Sequence, residues 1–288
     1  MKNFDYIKPS NIADAISALR EYDDAFLLAG GTDLLVGMKY DLIRPRCVID
    51  LKGIPSMGTF ECEDIWKFGA LTTVRDVEVS ETLRQKMPFL CQNASSLGSV
   101  QIRNRATIGG NLCNASPAAD MATMLLAMDS QVRIVSGNGE KLVALGDFFT
   151  GPNLTILARG EILTEIIIPR EVEQFKGLYM KFGPRKAMDI GMVNVAILLD
   201  TDSESRLCEK IRIALGAVAP TPIRAKQAED LLNGQTLNLD LINQTAEVAS
   251  GETNPISDFR ASADYRRELV RTLVARGINT ILASNRTS

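Results

Sequence analysis

Short apolar runs, separated by glycine pairs and clusters of small polar residues, set the pattern of the chain's first half. Pro9-Ser10 opens a helix, with Ser10 as the expected cap and Ile12, Ile16 and Leu19 spaced three and four apart. Asp23-Asp24 breaks it. Phe26 to Ala29 is too short an apolar run for a spanning helix and suits a buried strand. Gly30-Gly31-Thr32-Asp33 follows, and Leu34, Leu35 and Met38 then form one apolar helical face, with Thr32 and Asp33 as expected caps. Cys47, Val48, Ile49 and Leu51 read as a second strand. This βαβ-like start places the glycine turn at the carboxyl end of its first strand, where α/β units hold ligands.

From Trp66 the pattern changes. Trp66 to Ala70 is strand-like, Thr72-Thr73 can cap a short helix through Val79, and Met87, Leu90, Ala94 and Leu97 mark a longer helix ending at Gly98. The stretch from Ser99 to Asp129 is crowded in its first half with Gly109, Gly110, Asn111, Asn114, Ser116 and Pro117, which predicts a loop. Its second half, Met121 to Met128, is an apolar helix with Asp120 at its start and Ser116 as the expected cap ahead of Pro117. Val132–Val135 and Lys141–Val143 predict a hairpin about Gly137-Asn138-Gly139. Phe148 to Pro152 reads as a loop, and Glu161 to Ile168 as a β-branched strand that carries Leu163 and stops at Pro169.

Arg170 to Lys176 is charged and is the expected linker. Beyond it, Leu178–Phe182, Gly191–Leu199 and Lys210–Val218 predict an antiparallel meander, broken at Pro220-Thr221-Pro222. Helical patterns over Ala225–Leu232, Leu239–Ala249 and Ala263–Leu282 close the chain. The charges along the last of these, such as Tyr265-Arg266-Arg267-Glu268, read as a solvated face.

Composition narrows the chemistry. The chain has 288 residues, 45% hydrophobic and 23% charged, with a net charge of −3. That is enough chain for two domains with ordinary cores. It offers no basic footprint for nucleic acid, no apolar run near the roughly 20 residues of a membrane span, and no signal-peptide core at the N-terminus. The five cysteines are widely spaced, without a CxxC pair. This argues against a metal or cluster site on this chain and for reduced core thiols in a cytoplasmic protein. Histidine is absent altogether, which excludes Ser-His-Asp and Cys-His nucleophile systems, HExxH metalloenzymes and histidine relays. Chemistry here would have to come from a bound group.

The candidate for holding such a group is the strand–glycine–helix unit at Phe26 to Val36. Its glycines bring backbone N–H groups close to a ligand, and the arrangement suits an anion such as a phosphate. Thr107 and Asn111 stand beside the second glycine pair, Gly109-Gly110, so two loops of this kind could grip one extended molecule.

At these same residues the chain resembles a known family. AGGTDLL at Ala29–Leu35, QIRN at Gln101–Asn104, TIGGNLCNASPAAD at Thr107–Asp120, GEIL at Gly160–Leu163 and APTPIRA at Ala219–Ala225 resemble the flavoprotein (medium) subunits of molybdenum hydroxylases, among them xanthine, carbon monoxide and nicotinate dehydrogenases. The resemblance covers nearly the whole chain and implies an α+β fold. A two-lobed FAD-binding domain of the vanillyl-alcohol-oxidase (PCMH) type would span 1–174, with lobes of about 1–55 and 56–174. A C-terminal flavoprotein domain of the carbon monoxide dehydrogenase type, a small antiparallel sheet with helices, would span 175–288.

By the same resemblance, Leu28, Ala29, Gly30, Gly31, Thr32, Asp33 and Leu34 cradle the FAD pyrophosphate. Thr107, Ile108, Gly109, Gly110 and Asn111 form a second flavin-contacting loop, and Asp120, Leu163 and Lys181 reach the cofactor singly. Gly183 to Asp189 matches a loop near the isoalloxazine that influences the electron acceptor. No residue of this chain is expected to be catalytic or to bind metal. The inserted cysteine segment of the benzoyl-CoA-reductase branch is missing. The implied function is electron transfer: a large subunit carries molybdopterin, a small iron–sulfur subunit carries two 2Fe-2S clusters, and FAD on this chain passes electrons to an external acceptor such as NAD. A xanthine dehydrogenase-like assembly is the expected type, and a self-contained flavin oxidase of the same broad fold is the alternative.

Overall fold

The computed structural model describes residues 3–185, 188–202 and 205–284. Three short strands, β1 (Asp5–Ile7), β2 (Ala25–Leu28) and β3 (Cys47–Asp50), form a parallel sheet in the order β1-β3-β2. Helices α1 (Ile12–Glu21) and α2 (Leu34–Lys39) supply the crossovers. Strand β1, only three residues long and with no buried position, has no periodicity to betray it in the sequence. The cap of α1 is Asn11, whose side chain accepts the Asp14 N–H, one residue later than the expected Ser10.

A second sheet is antiparallel, in the order β4-β5-β10-β6-β7. Strands β4 (Phe60–Cys62) and β5 (Trp66–Gly69) lead into six helices: α3 (Val74–Val79), α4 (Glu81–Lys86), α5 (Pro88–Ser95), α6 (Val100–Arg103), α7 (Ile108–Asn114) and α8 (Asp120–Ala127). Next come the expected hairpin of β6 (Gln131–Ser136) and β7 (Gly139–Ala144), then α9 (Leu145–Phe148), β8 (Phe149–Gly151), β9 (Leu154–Thr155) and β10 (Ile162–Ile168).

Three local expectations fail here. The glycine-rich segment at Thr107 is a helix, because the Thr107 hydroxyl caps it by accepting the Gly110 N–H. The apolar helix α8 begins at Asp120 with Ala119 at its cap position rather than at Ser116. Phe148 to Pro152 holds a helix end and a short strand rather than a plain loop.

The third sheet is the predicted meander: β11 (Lys176–Phe182), β12 (Val193–Thr201), β13 (Cys208–Gly216) and β14 (Ile223–Arg224), antiparallel in that order. Helices α10 (Lys226–Leu232), α11 (Leu239–Gly251) and α12 (Ala263–Ser284) pack with it. Strand β12 reads as an unbroken apolar run because both of its faces are buried. Val193, Val195, Ile197 and Leu199 join the core with α10–α12, whereas Ala196 and Leu198 join the core of the preceding helices and sheet. The charged Arg170–Gln174 segment is a 3-10 turn tied on both sides. Glu173 accepts from the Trp66 indole at 3.0 Å and pairs with Lys86, while Glu171 pairs with the buried Arg212.

A second tie runs through the TPIRA segment. The Arg224 guanidinium donates to the Leu126 carbonyl at the end of α8, pairs with Asp129, and forms two parallel bonds to Glu229 at 2.6 and 2.8 Å. Glu229 is itself buried and also accepts the Ile213 N–H at 2.8 Å. Arg224→Met would leave that carboxylate with only the exposed Lys226 ammonium as a charge partner, at 3.5 Å, at a cost of up to about 3–5 kcal/mol for a broken buried pair. The expected result is a lower urea midpoint, partly recovered in the double variant Arg224→Met/Glu229→Gln, which no longer buries a poorly paired charge.

Candidate functional site

A cavity of about 810 Å³ opens where loops of the first sheet, the α6–α8 helices and the β11–β12 connection converge. That volume lies within the roughly 300–1,000 Å³ typical of ligand pockets. Ala29, Gly30, Gly31, Thr32, Asp33, Leu34, Thr107, Gly109, Gly110, Asn111, Asp120 and Leu163 all line it. Leu28, Ile108 and Lys181 stand behind the wall. Leu28 packs with Met38 and Val48, and Ile108 lies in the main core.

The two glycine pairs do different work. Among the described residues, the backbone N–H groups of Gly30, Gly31, Thr32 and Asp33 make no hydrogen bond. Gly31 has φ +80, a left-handed conformation that glycine adopts without strain. Asp33 occupies the cap position of α2 but makes no side-chain capping bond, so the capping expected of Thr32 and Asp33 is not taken up and both line the cavity. At the second pair the donors are all spent. Ile108 N–H bonds the Thr72 carbonyl at 3.0 Å, Gly109 N–H the Ala70 carbonyl at 2.8 Å, and Gly110 N–H the Thr107 hydroxyl at 3.0 Å. Glycine at 109 is required by close packing, since an added Cβ would lie 2.6 Å from the Ala70 Cβ. A Cβ on Gly110 would lie 2.8 Å from the capping Thr107 Oγ1 and 3.8 Å from the Ala29 Cβ, so the two glycine pairs come close to each other here. The Asn111 Oδ1 beside them is buried and has no partner among the described residues, as expected of an acceptor reserved for a ligand donor.

Among the described residues no lysine or arginine lines the cavity, and Asp33, Asp120 and Asp189 give its wall carboxylates. An anion in this space would therefore be met by backbone donors. Asp120 is held from β11: its Oδ1 accepts the Tyr179 hydroxyl at 2.7 Å and its Oδ2 the Lys181 ammonium at 2.9 Å. Desolvation pushes the Asp120 carboxyl up, against the opposing pull of Lys181 and Tyr179. Burial and the neighbouring Asp120 charge push the Tyr179 hydroxyl well up, so it stays a donor.

Sequence reasoning missed several wall residues. Cys113, read as core filler, is instead an exposed thiol that opens on the cavity. Tyr179 offered no signal on an apolar strand. Of the Gly183–Asp189 segment, Lys186 and Ala187 lie outside the described residues; Asp189 lines the cavity with Met188 and Ile190.

The whole chain has relatives of known type. Residues 2–171 match the family of FAD-binding domains in molybdopterin dehydrogenases, and residues 179–281 the CO dehydrogenase flavoprotein C-terminal domain family. The chain is 33% identical over 282 residues to the xanthine dehydrogenase FAD-binding subunit of Escherichia coli O157:H7, covering 97% of this chain and 96% of that one. It is 34% identical over 274 residues to the nicotine 6-hydroxylase medium subunit of Paenarthrobacter nicotinovorans, covering 95% of each. Among solved structures, carbon monoxide dehydrogenase from Hydrogenophaga pseudoflava superposes with a TM-score of 0.93 at 30% identity, covering 98% of both chains. The α+β architecture, with a two-lobed PCMH-type unit ahead of a small antiparallel sheet and helices, is thus shared.

The Asp120–Lys181 pair carries a prediction of its own. Lys181→Met removes the ammonium that opposes desolvation, so the Asp120 carboxyl rises further in the folded protein. A carboxyl raised on folding favours the native state below its unfolded value and loses that contribution as pH rises through the folded value. The melting temperature of Lys181→Met should therefore fall below wild type most at neutral pH, by the equivalent of about 3–5 kcal/mol at most. The deficit should shrink as pH falls towards the ordinary 3.8 of an aspartate. Thermal melts across that range provide the check.

Proposed function

We propose a function from one premise: the chain belongs to the family of FAD-binding medium subunits of molybdenum hydroxylases. In our reading the cavity is the FAD site, with the pyrophosphate on the Gly30–Leu34 backbone and Leu28 packed behind it. Thr107 to Asn111, Asp120, Leu163 and Lys181 complete the surround. The observation that carries this is the row of unbonded N–H groups at Gly30 to Asp33, facing a cavity that no cation among the described residues lines. The residues present fit the group. Donors meet a diphosphate, apolar walls such as Leu71, Leu97 and Leu163 meet a ring system, and the Asn111 Oδ1 awaits a donor.

FAD bound here supplies the exchange between one-electron and two-electron transfer. The chain's own residues bind and orient it, exclude water from it, and hold the Asp120 carboxylate at the wall. The division falls between residues 174 and 175, so that β11 brings Tyr179 and Lys181 to the cofactor from the C-terminal domain. Partners are an iron–sulfur small subunit with two 2Fe-2S clusters and a molybdopterin large subunit, and NAD is the proposed acceptor. The assembly is of the xanthine dehydrogenase type. Similarity to the xanthine subunit supports this, although the nicotine subunit matches equally well, because substrate choice belongs to the partner that carries the molybdenum.

Purified chain should be yellow, with a flavin spectrum and about one FAD per chain by absorbance. Gly110→Val would crowd the Thr107 hydroxyl and press towards Ala29, and FAD content should fall at least about tenfold, roughly 1.4 kcal/mol, with the C-terminal helices still folded by circular dichroism. Normal flavin content in that variant sinks the site assignment. Reduction of the bound flavin by small alcohols or amines, with no partner chain present, would favour the self-contained oxidase instead.

A further inference from the structure

The carboxyl edge of the parallel sheet carries a polar chain that the family reading leaves unused. Asp50, at the end of β3, is only 3% exposed. One of its oxygens accepts the Tyr6 hydroxyl at 2.5 Å; the other pairs with the Lys52 ammonium at 2.6 Å and accepts the Lys52 backbone N–H at 3.0 Å. The Lys52 ammonium also donates to the Ala29 carbonyl at 3.0 Å. Tyr6 lies in β1, Asp50 ends β3 and Ala29 directly follows β2, so Asp50 and Lys52 together tie this edge to the peptide that opens the glycine turn.

That peptide is the one that matters for the cavity. The Ala29 carbonyl and the Gly30 N–H belong to the same planar trans unit and point in opposite directions. Holding the carbonyl on Lys52 therefore turns the Gly30 N–H the other way, and it is the first of the unbonded donors along the cavity wall. A flip of this unit would present a carbonyl oxygen to an anion and remove a donor at once. Glycine at position 30 leaves one side of the unit with wide torsional freedom, so local sterics alone do not forbid the flip. The Asp50–Lys52 pair nearly cancels its own charge, which makes this a geometric device rather than an attractive field.

We infer that Lys52, held by Asp50 and Tyr6, is a positioning residue that fixes the Ala29–Gly30 peptide with its N–H towards the cofactor pyrophosphate. The inference rests on the FAD reading of the cavity and adds a residue to it. A comparable chain could form around any anion-binding glycine turn that has a strand-end lysine within reach of the carbonyl preceding its first glycine.

The test is flavin titration of the full chain, freed of bound flavin, followed by flavin fluorescence. FAD and riboflavin, which lacks the pyrophosphate, are compared. Lys52→Met keeps the length of the stem without the donor. It should raise the FAD dissociation constant about tenfold, while riboflavin binding stays within about twofold of wild type. Lys52→Arg, which can still donate to both partners, should restore FAD binding to within about threefold. Equal FAD affinity in Lys52→Met and wild type overturns the inference. So does a parallel loss for both flavins, or failure of Lys52→Arg to rescue, since each marks general loosening of the sheet edge. If wild type itself takes up no FAD, the cavity assignment fails first, and this role for Lys52 with it.

Discussion

The structure depends on a contact between two stretches of bare backbone. A side chain on Gly30 would overlap the Arg105 carbonyl and crowd the Ala106 Cα. The parallel sheet and the α6–α7 connection therefore meet with no atoms to spare. This contact brings the Gly30 turn opposite Gly110, and the cavity between the first sheet and the helices follows from it. Glycine at 30 serves the junction as much as it serves a ligand. A larger residue there would separate the two halves before it touched anything in the cavity.

The two glycine pairs look alike in the sequence and differ in physics. At Gly30-Gly31 the chain leaves a strand, turns through a left-handed residue and leaves its donors unspent. At Gly109-Gly110 the same residue type opens a capped helix whose first N–H groups are anchored to Thr72, Ala70 and Thr107. Its glycines remove bulk where the helix crosses Ala70, and no donor is left over. One side of the cavity thus offers hydrogen-bond donors and the other a flat, close-fitting wall. This division suits a molecule that is charged in one part and planar in another.

Much of this was legible because the relevant constraints are local. Leu27 and Leu28 before a glycine pair, Thr73 ahead of a short helix, and the apolar run along β12 each state their own conformation. What escaped depends on partners distant in sequence. The Thr107 hydroxyl has to be seen bonding Gly110 before TIGGN reads as a helix rather than a loop. Cys113 could be known as a wall residue only once α7 was placed against the cavity, and Tyr179 became polar in function only when Asp120 appeared beside it. Lys52 reads as an ordinary surface lysine after a strand, because its partner carbonyl, Ala29, follows another strand and Tyr6, which holds Asp50, belongs to a third.

The same dependence bears on how the cavity and the C-terminal sheet act together. Strand β12 buries one row of side chains against α10–α12 and the other in the core that includes α5 and α8. Helix α8 starts at Asp120, and β11, the neighbour of β12, supplies the two groups that hold that carboxylate. The β11–β12 connection then returns Met188, Asp189 and Ile190 to the cavity wall. A shift of the C-terminal sheet would have to move the Asp120 clamp and this side of the wall together, because packed cores deform as units rather than residue by residue. A displacement of the C-terminal sheet would therefore reach the cavity through Asp120 and through the wall residues of this connection together.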